Sequence, residues 1–127
     1  MKQKATSAFA EAKSLLESNH YNGAASRLYY ALYQAVVAEF EKRGVKQSNL
    51  TSKVAPETIG YWLHEVVRNN STLAGVRRED SGVIRYAWQL RVRADYSPDS
   101  VTEAELRVIM NRAQKVLGEL GLNIEGS

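Results

Sequence analysis

Tyr21 to Gly44, YNGAASRLYYALYQAVVAEFEKRG, is the stretch on which the fold turns. It is long, helical in composition and apolar on more than one side. One stripe runs Ala25, Leu28, Tyr29, Leu32, Val36, and a second runs Tyr30, Tyr33, Val37, Phe40. Both follow the three-then-four spacing of a helix face. Between them lies a line of small or polar residues, Arg27, Ala31, Gln34, Ala38. A surface helix needs one apolar stripe, so two imply a helix covered on two sides. The segment is expected to be central, with its second stripe either meeting other helices of the same chain or lining a two-fold interface.

Working outward, Ala5, Ala8, Phe9, Ala12, Leu15 and Leu16 predict a first helix over 2–18. The turn that follows, Ser18 to Gly23, is rich in residues that bond their own backbone, and Asn22 is the expected cap of the central helix. That helix stops at Gly44, with Lys42 and Arg43 in its last turn, where cations are favoured. After a polar connection over 45–55, Pro56 opens a third helix to about Asn70, with Ile59, Trp62, Leu63, Val66 and Val67 inward. A fourth begins near Asp80 or Ser81 and runs to about Asp95, burying Val83, Ile84, Ala87, Trp88 and Leu90. Pro98 disfavours helix at Ser97. A capping box, Ser100 with Glu103 or Thr102 with Glu105, starts the fifth. Its apolar side is Ala104, Leu106, Val108, Ile109, Ala113, Val116, Leu117 and Leu120, and the end beyond Gly121 is expected to fray. The expectation is one all-α domain over 1–127, an antiparallel up-and-down bundle of four to five helices.

Composition narrows the function. The 127 residues suit one domain, and 44% are hydrophobic, enough for a sizeable core. There is no cysteine, which excludes disulfides and thiolate metal sites, and two His build no His-rich metal site. No metal or cofactor is expected. No run reaches the roughly 20 apolar residues of a membrane span, and MKQKATSAFA is not a signal peptide, so a cytoplasmic protein is expected. The formal charge is only +3, but its distribution is uneven. Arg68, Arg77, Arg78, Arg85, Arg91 and Arg93 share a stretch with no Lys and only Glu79 and Asp80 as acids. Arg suits planar, bidentate contact with phosphate or carboxylate. The segment is either a solvated, salt-bridged face or a contact surface for nucleic acid or an acidic protein.

Three pieces carry a resemblance: Tyr21-x-x-Ala24-x-x-Arg27-x-Tyr29-Tyr30-Ala31, then Trp62-x-His64, then Arg91-x-x-Ala94-Asp95-Tyr96 before a capped last helix. In order and spacing the chain resembles the HEPN domain family, in its small stand-alone branch. The resemblance implies a bundle of four or five helices that dimerises. It also implies work in prokaryotic defence, toxin–antitoxin pairs or stress response, often beside a minimal nucleotidyltransferase. Many members of the family are metal-independent ribonucleases, with an Arg followed after four to six residues by a His near the start of the last helix. In this chain the six residues after Arg91 are Val, Arg, Ala, Asp, Tyr and Ser, and the two His, His20 and His64, lie upstream. The group that would move protons near neutral pH is missing from that place.

Single residues extend the reading. Arg27 lies on a helix with two apolar faces, and a buried guanidinium needs an acceptor. Asp95 is the best candidate, either as a buried ion pair fixing two helices or as part of a pocket for phosphate or a nucleobase. Tyr29, Tyr30 and Tyr33 read as core or dimer interface, with base stacking as the alternative. Trp62 and Trp88 read as core. Arg27, Tyr30, Arg85, Arg91, Arg93 and Asp95 are the binding candidates. If the chain cleaves RNA, Arg91, Tyr96 and His64 are the catalytic candidates. The leading expectation is a homodimeric binding module acting with a partner protein of the nucleotidyltransferase type. The alternative is a metal-independent ribonuclease with a divergent site.

Overall fold

A computed structural model describes residues 2–42, 78–96 and 101–120. They form four helices, α1 (Lys2–Glu17), α2 (Tyr21–Lys42), α3 (Arg78–Tyr96) and α4 (Glu103–Glu119), with no strand among the described residues. The helix expected over 56–70, with Trp62 and His64, lies outside the described residues.

The first turn is closed by local chemistry. Asn19 adopts a left-handed backbone (φ 64°), a conformation that Asn tolerates better than most residues. The His20 amide donates to the Leu15 carbonyl at 2.8 Å and the Asn19 amide to the Leu16 carbonyl at 3.1 Å. These two bonds satisfy carbonyls that the end of α1 leaves open, in the Schellman pattern. So tight a turn makes α1 and α2 antiparallel neighbours. Asn22 does not cap α2, because the helix already begins at Tyr21. Its side-chain oxygen instead accepts the Val101 amide at 3.1 Å, tying the start of α2 to the residues before α4.

α2 packs against α1, α3 and α4, as the centre of the bundle should. Its first stripe, Ala25, Leu28, Tyr29, Leu32 and Val36, is buried throughout. Ala24, Ala31, Ala35 and Ala38 are buried as well, and with Ala5, Ala8 and Ala12 they give the core many side chains of a single methyl. Small side chains allow close helix approach, so the line read as small or polar is partly a packing surface. The second stripe is less enclosed. Tyr33 and Val37 are half-buried against the core, and Tyr30 stays 38% exposed.

Ile84, Ala87 and Leu90 bring α3 onto this core, and Leu106, Ile109, Met110, Ala113, Val116, Leu117 and Leu120 bring α4. Burying each large aliphatic side chain contributes roughly 1.5–3 kcal/mol. Val108, expected inside, is 51% exposed. At about 100° per residue it sits roughly 200° round from Leu106, on the opposite side of α4. Met110, not expected inside, takes the position four after Leu106 and is buried.

The N-terminus of α4 carries the capping box Thr102–Glu105: the Thr102 hydroxyl accepts the Glu105 amide at 3.2 Å, and the Glu105 carboxylate accepts the Thr102 amide at 3.0 Å. Contacts between helices fix their directions. Ser26 and Tyr29, early in α2, meet Asp95 and Arg91, late in α3. Arg93, late in α3, meets Glu105, early in α4. Successive described helices therefore alternate in direction, as in an up-and-down bundle.

Candidate functional site

One face of α2 repeats polar and aromatic residues at helical spacing: Ser26, Tyr29, Tyr30 and Tyr33, with Arg27 beside them. Arg91, on the last turns of α3, lies across from it. Together these six line a groove of about 310 Å³. Tyr29, only 2% exposed, is the floor; Tyr30 stands at the rim.

Both guanidiniums are seated on aromatic rings. The Arg27 carbon lies 5.6 Å from the Tyr30 centroid, and the Arg91 carbon 5.9 Å from the Tyr29 centroid. These distances are within reach of cation–π attraction. Each also meets a carboxylate. Arg27 Nε is 3.3 Å from Glu11 Oε2 on α1, and Arg91 Nε is 3.6 Å from Asp95 Oδ2 one turn on. Asp95 further accepts the Ser26 hydroxyl at 3.3 Å.

This corrects the sequence expectation for Arg27 and Asp95. Arg27 is not a buried cation: its side chain is 47% exposed, and it pairs with Glu11 rather than Asp95. Asp95 is exposed and pairs with Arg91 within its own helix. The physical reason is the angular position of Arg27. It falls between the two stripes, toward α1, and its long stem lets the head group reach water. No feature of the sequence signals Glu11, whose role depends on how α1 docks.

The other candidates separate. Arg93 turns to α4, where it pairs with Glu105. That guanidinium, with the Thr102 amide, holds the Glu105 carboxyl far below its ordinary range, at about 2. Arg93 therefore clamps α3 to α4 and is not among the groove lining. Arg85 is exposed on α3, away from that lining. Tyr96 ends α3, but its side chain, like His64, lies outside the described residues. His20 is exposed in the α1–α2 turn. Among the described residues no imidazole lines the groove, and no group of three or more His, Cys, Asp or Glu is placed to hold a metal.

A second polar cluster ties the α1–α2 turn to α4. The Tyr21 hydroxyl lies 3.0 Å from Asn19 Oδ1 and 3.1 Å from Glu103 Oε1, and Arg107 donates to Glu103 Oε2 at 2.7 Å. Partial burial and the Glu103 carboxylate push the Tyr21 phenol up. Arg107, and then the Tyr21 hydroxyl, hold Glu103 below the ordinary carboxylate range.

Fold and groove together define an all-α bundle with an arginine–tyrosine surface on its central helix. The HEPN domain family model matches residues 1–123, so the chain belongs to the HEPN family, whose members have nucleotide-related or ribonuclease roles and often dimerise. Comparison with curated proteins and with solved structures returned no match. No described helix is long and apolar enough to cross a membrane.

Proposed function

We propose that this chain is a homodimeric HEPN binding module whose contact surface includes the α2–α3 groove, working beside a partner protein of the nucleotidyltransferase type. The supporting observation is the seating of two guanidiniums on two tyrosine rings in one groove. That chemistry suits a nucleotide. Guanidinium forks match phosphate oxygens, and tyrosine faces stack on bases. It supplies binding and orientation. Cleavage of RNA needs in addition a group that takes a proton from the 2′-hydroxyl and one that returns a proton to the leaving oxygen. Arginine stays protonated, and tyrosine titrates far above neutrality, so neither suits proton transfer near pH 7.

Incubation with single-stranded RNA tests this. Wild-type protein is expected to retain RNA and leave it intact, with or without a chelator, and Arg91→Ala is expected to weaken retention. Metal-independent cleavage abolished by Arg91→Ala overturns the binding-module reading and installs the ribonuclease. Arg91 at the groove is what favours that second reading. Co-expression with a nucleotidyltransferase encoded beside this chain, followed by size-exclusion chromatography, tests the partner. Separate elution of the two proteins rules it out.

A further inference from the structure

Arg27 and Arg91 are held in a way that Arg93 is not. Each sits on a ring of α2 and each has a carboxylate as its second contact. The Tyr29 seat is firm, since α2 is the centre of the core and Tyr29 is buried, whereas the Tyr30 seat is at the rim. The carboxylate contacts are not firm. Side chains in the Arg27–Glu11 pair are 47% and 54% exposed, and in the Arg91–Asp95 pair 36% and 37%. Ion pairs in such settings are weak and exchange readily. Glu105 differs, because it is also bonded to the amide and hydroxyl of Thr102, and its hold on Arg93 is part of the α4 cap.

The four charges around the groove cancel. An approaching polyanion meets two arginines already carrying two carboxylates, so long-range attraction is small. Both pairs run through the guanidinium Nε, so a phosphate claims the Nε side of either fork only if Glu11 and Asp95 give way. When they do, the guanidiniums keep their seats on Tyr30 and Tyr29. The freed Asp95 keeps its hydrogen bond from Ser26.

We propose that Glu11 and Asp95 are built-in counter-ions that set the affinity and salt response of the groove for single-stranded nucleic acid, by occupying Arg27 and Arg91 until phosphates displace them. This rests on the reading of the groove as a nucleotide-binding surface. Two consequences follow from the chemistry. An isolated weak anion gains little, because it exchanges one exposed pair for another. A strand presenting successive phosphates gains at both arginines, and the partly exposed Tyr30 at the rim is the ring a base can reach.

The test is fluorescence anisotropy of a short labelled oligouridylate over a potassium chloride series, using the full chain. Wild type is compared with Glu11→Gln/Asp95→Asn and with Arg27→Gln/Arg91→Gln. Removing each acid is expected to tighten binding about 1.5- to 5-fold, as exposed pairs of this strength allow. With two arginines free, the slope of log affinity against log salt steepens by up to about 1.4, at roughly 0.7 per phosphate neutralised. A merely structural role for the acids would not change that slope. Asp95→Asn alone is nearly isosteric and keeps an acceptor for Ser26, so it gives half the effect even if the double variant folds poorly.

Unchanged affinity and slope in the acid variants, while the arginine variant loses binding, overturn the counter-ion role and leave the groove as the site. Wild-type binding by the arginine variant overturns the groove itself. If a polyglutamate peptide gains as much as the oligonucleotide from loss of the acids, selectivity for nucleic acid is overturned.

Discussion

Asp95 shows how the energetic consequence of one residue depends on its neighbours. A carboxylate buried against Arg27 would cost about 3–5 kcal/mol to remove. Here Asp95 is exposed, one helical turn from Arg91, and bonded to the Ser26 hydroxyl. Asp95→Ala is therefore expected to lower stability by less than about 1 kcal/mol, measured by urea denaturation against an exposed-Glu control. A loss of several kcal/mol would require a buried role that the geometry lacks. Glu105 has the opposite character. Its carboxyl is held at about 2, against an ordinary 4.5, by Arg93 first and the Thr102 amide second. A lowered folded-state value means the ionised form stabilises the fold. That contribution is complete above about pH 4.5 and is lost as pH falls toward 2. In melting curves over this window, Glu105→Gln is expected to flatten the acid side relative to wild type. The sequence names Arg27, Tyr30 and Arg91 as binding candidates, and the structure brings all three to one groove. It gives no sign of Glu11 or of where Arg93 turns, because ion pairs between helices depend on docking geometry, which no local spacing encodes.

At the scale of the element, the fourth described helix was readable in detail and the first turn less so. Ser100–Glu103 and Thr102–Glu105 both fit a capping box by spacing, and α4 uses the second. The choice follows from where the helix starts, at Glu103, and the resulting cap also carries the Arg93 clamp. Thr102→Ala is expected to cost about 1 kcal/mol, with Thr102→Ser close to wild type, in equilibrium unfolding. An unchanged midpoint for Thr102→Ala would show that Glu105 holds without the box. The α1–α2 turn was legible as a turn, since its residues are Ser, Asn, His, Tyr, Asn and Gly. Spacing points to Asn22 as its cap, because short polar side chains near a helix start look alike in sequence. What separates them is backbone conformation. Asn19 takes the left-handed position, and Asn22 is freed to bond Val101, just before α4.

For the whole molecule, the two stripes of 21–44 imply a helix covered on more than one side, and α2 does meet all three other described helices. Its enclosure within one chain is uneven. Leu28, Leu32 and Val36 are fully buried, whereas Tyr33 and Val37 are half-buried and Tyr30 is 38% exposed. An apolar stripe left partly open on the most central helix is an expensive surface to leave in water, at about 25 cal/mol per Å². A two-fold contact through Tyr33 and Val37 would cover the half-buried part of the stripe and leave Tyr30, with the Arg27–Tyr30 and Arg91–Tyr29 seats, at the subunit boundary. This is the observation behind the homodimer in the proposed function. Tyr33 lies in both the stripe and the groove wall, so it is the sharpest place to probe. A carboxylate in that position would be desolvated twice over in a dimer, once from each subunit, at a cost that weakly paired charges do not recover. Light scattering is expected to give twice the chain mass for wild type and the chain mass for Tyr33→Glu, with helical circular dichroism retained. A wild-type protein already monomeric at high micromolar concentration would remove the two-fold contact, and Tyr30, Tyr33 and Val37 would then be left for a different partner.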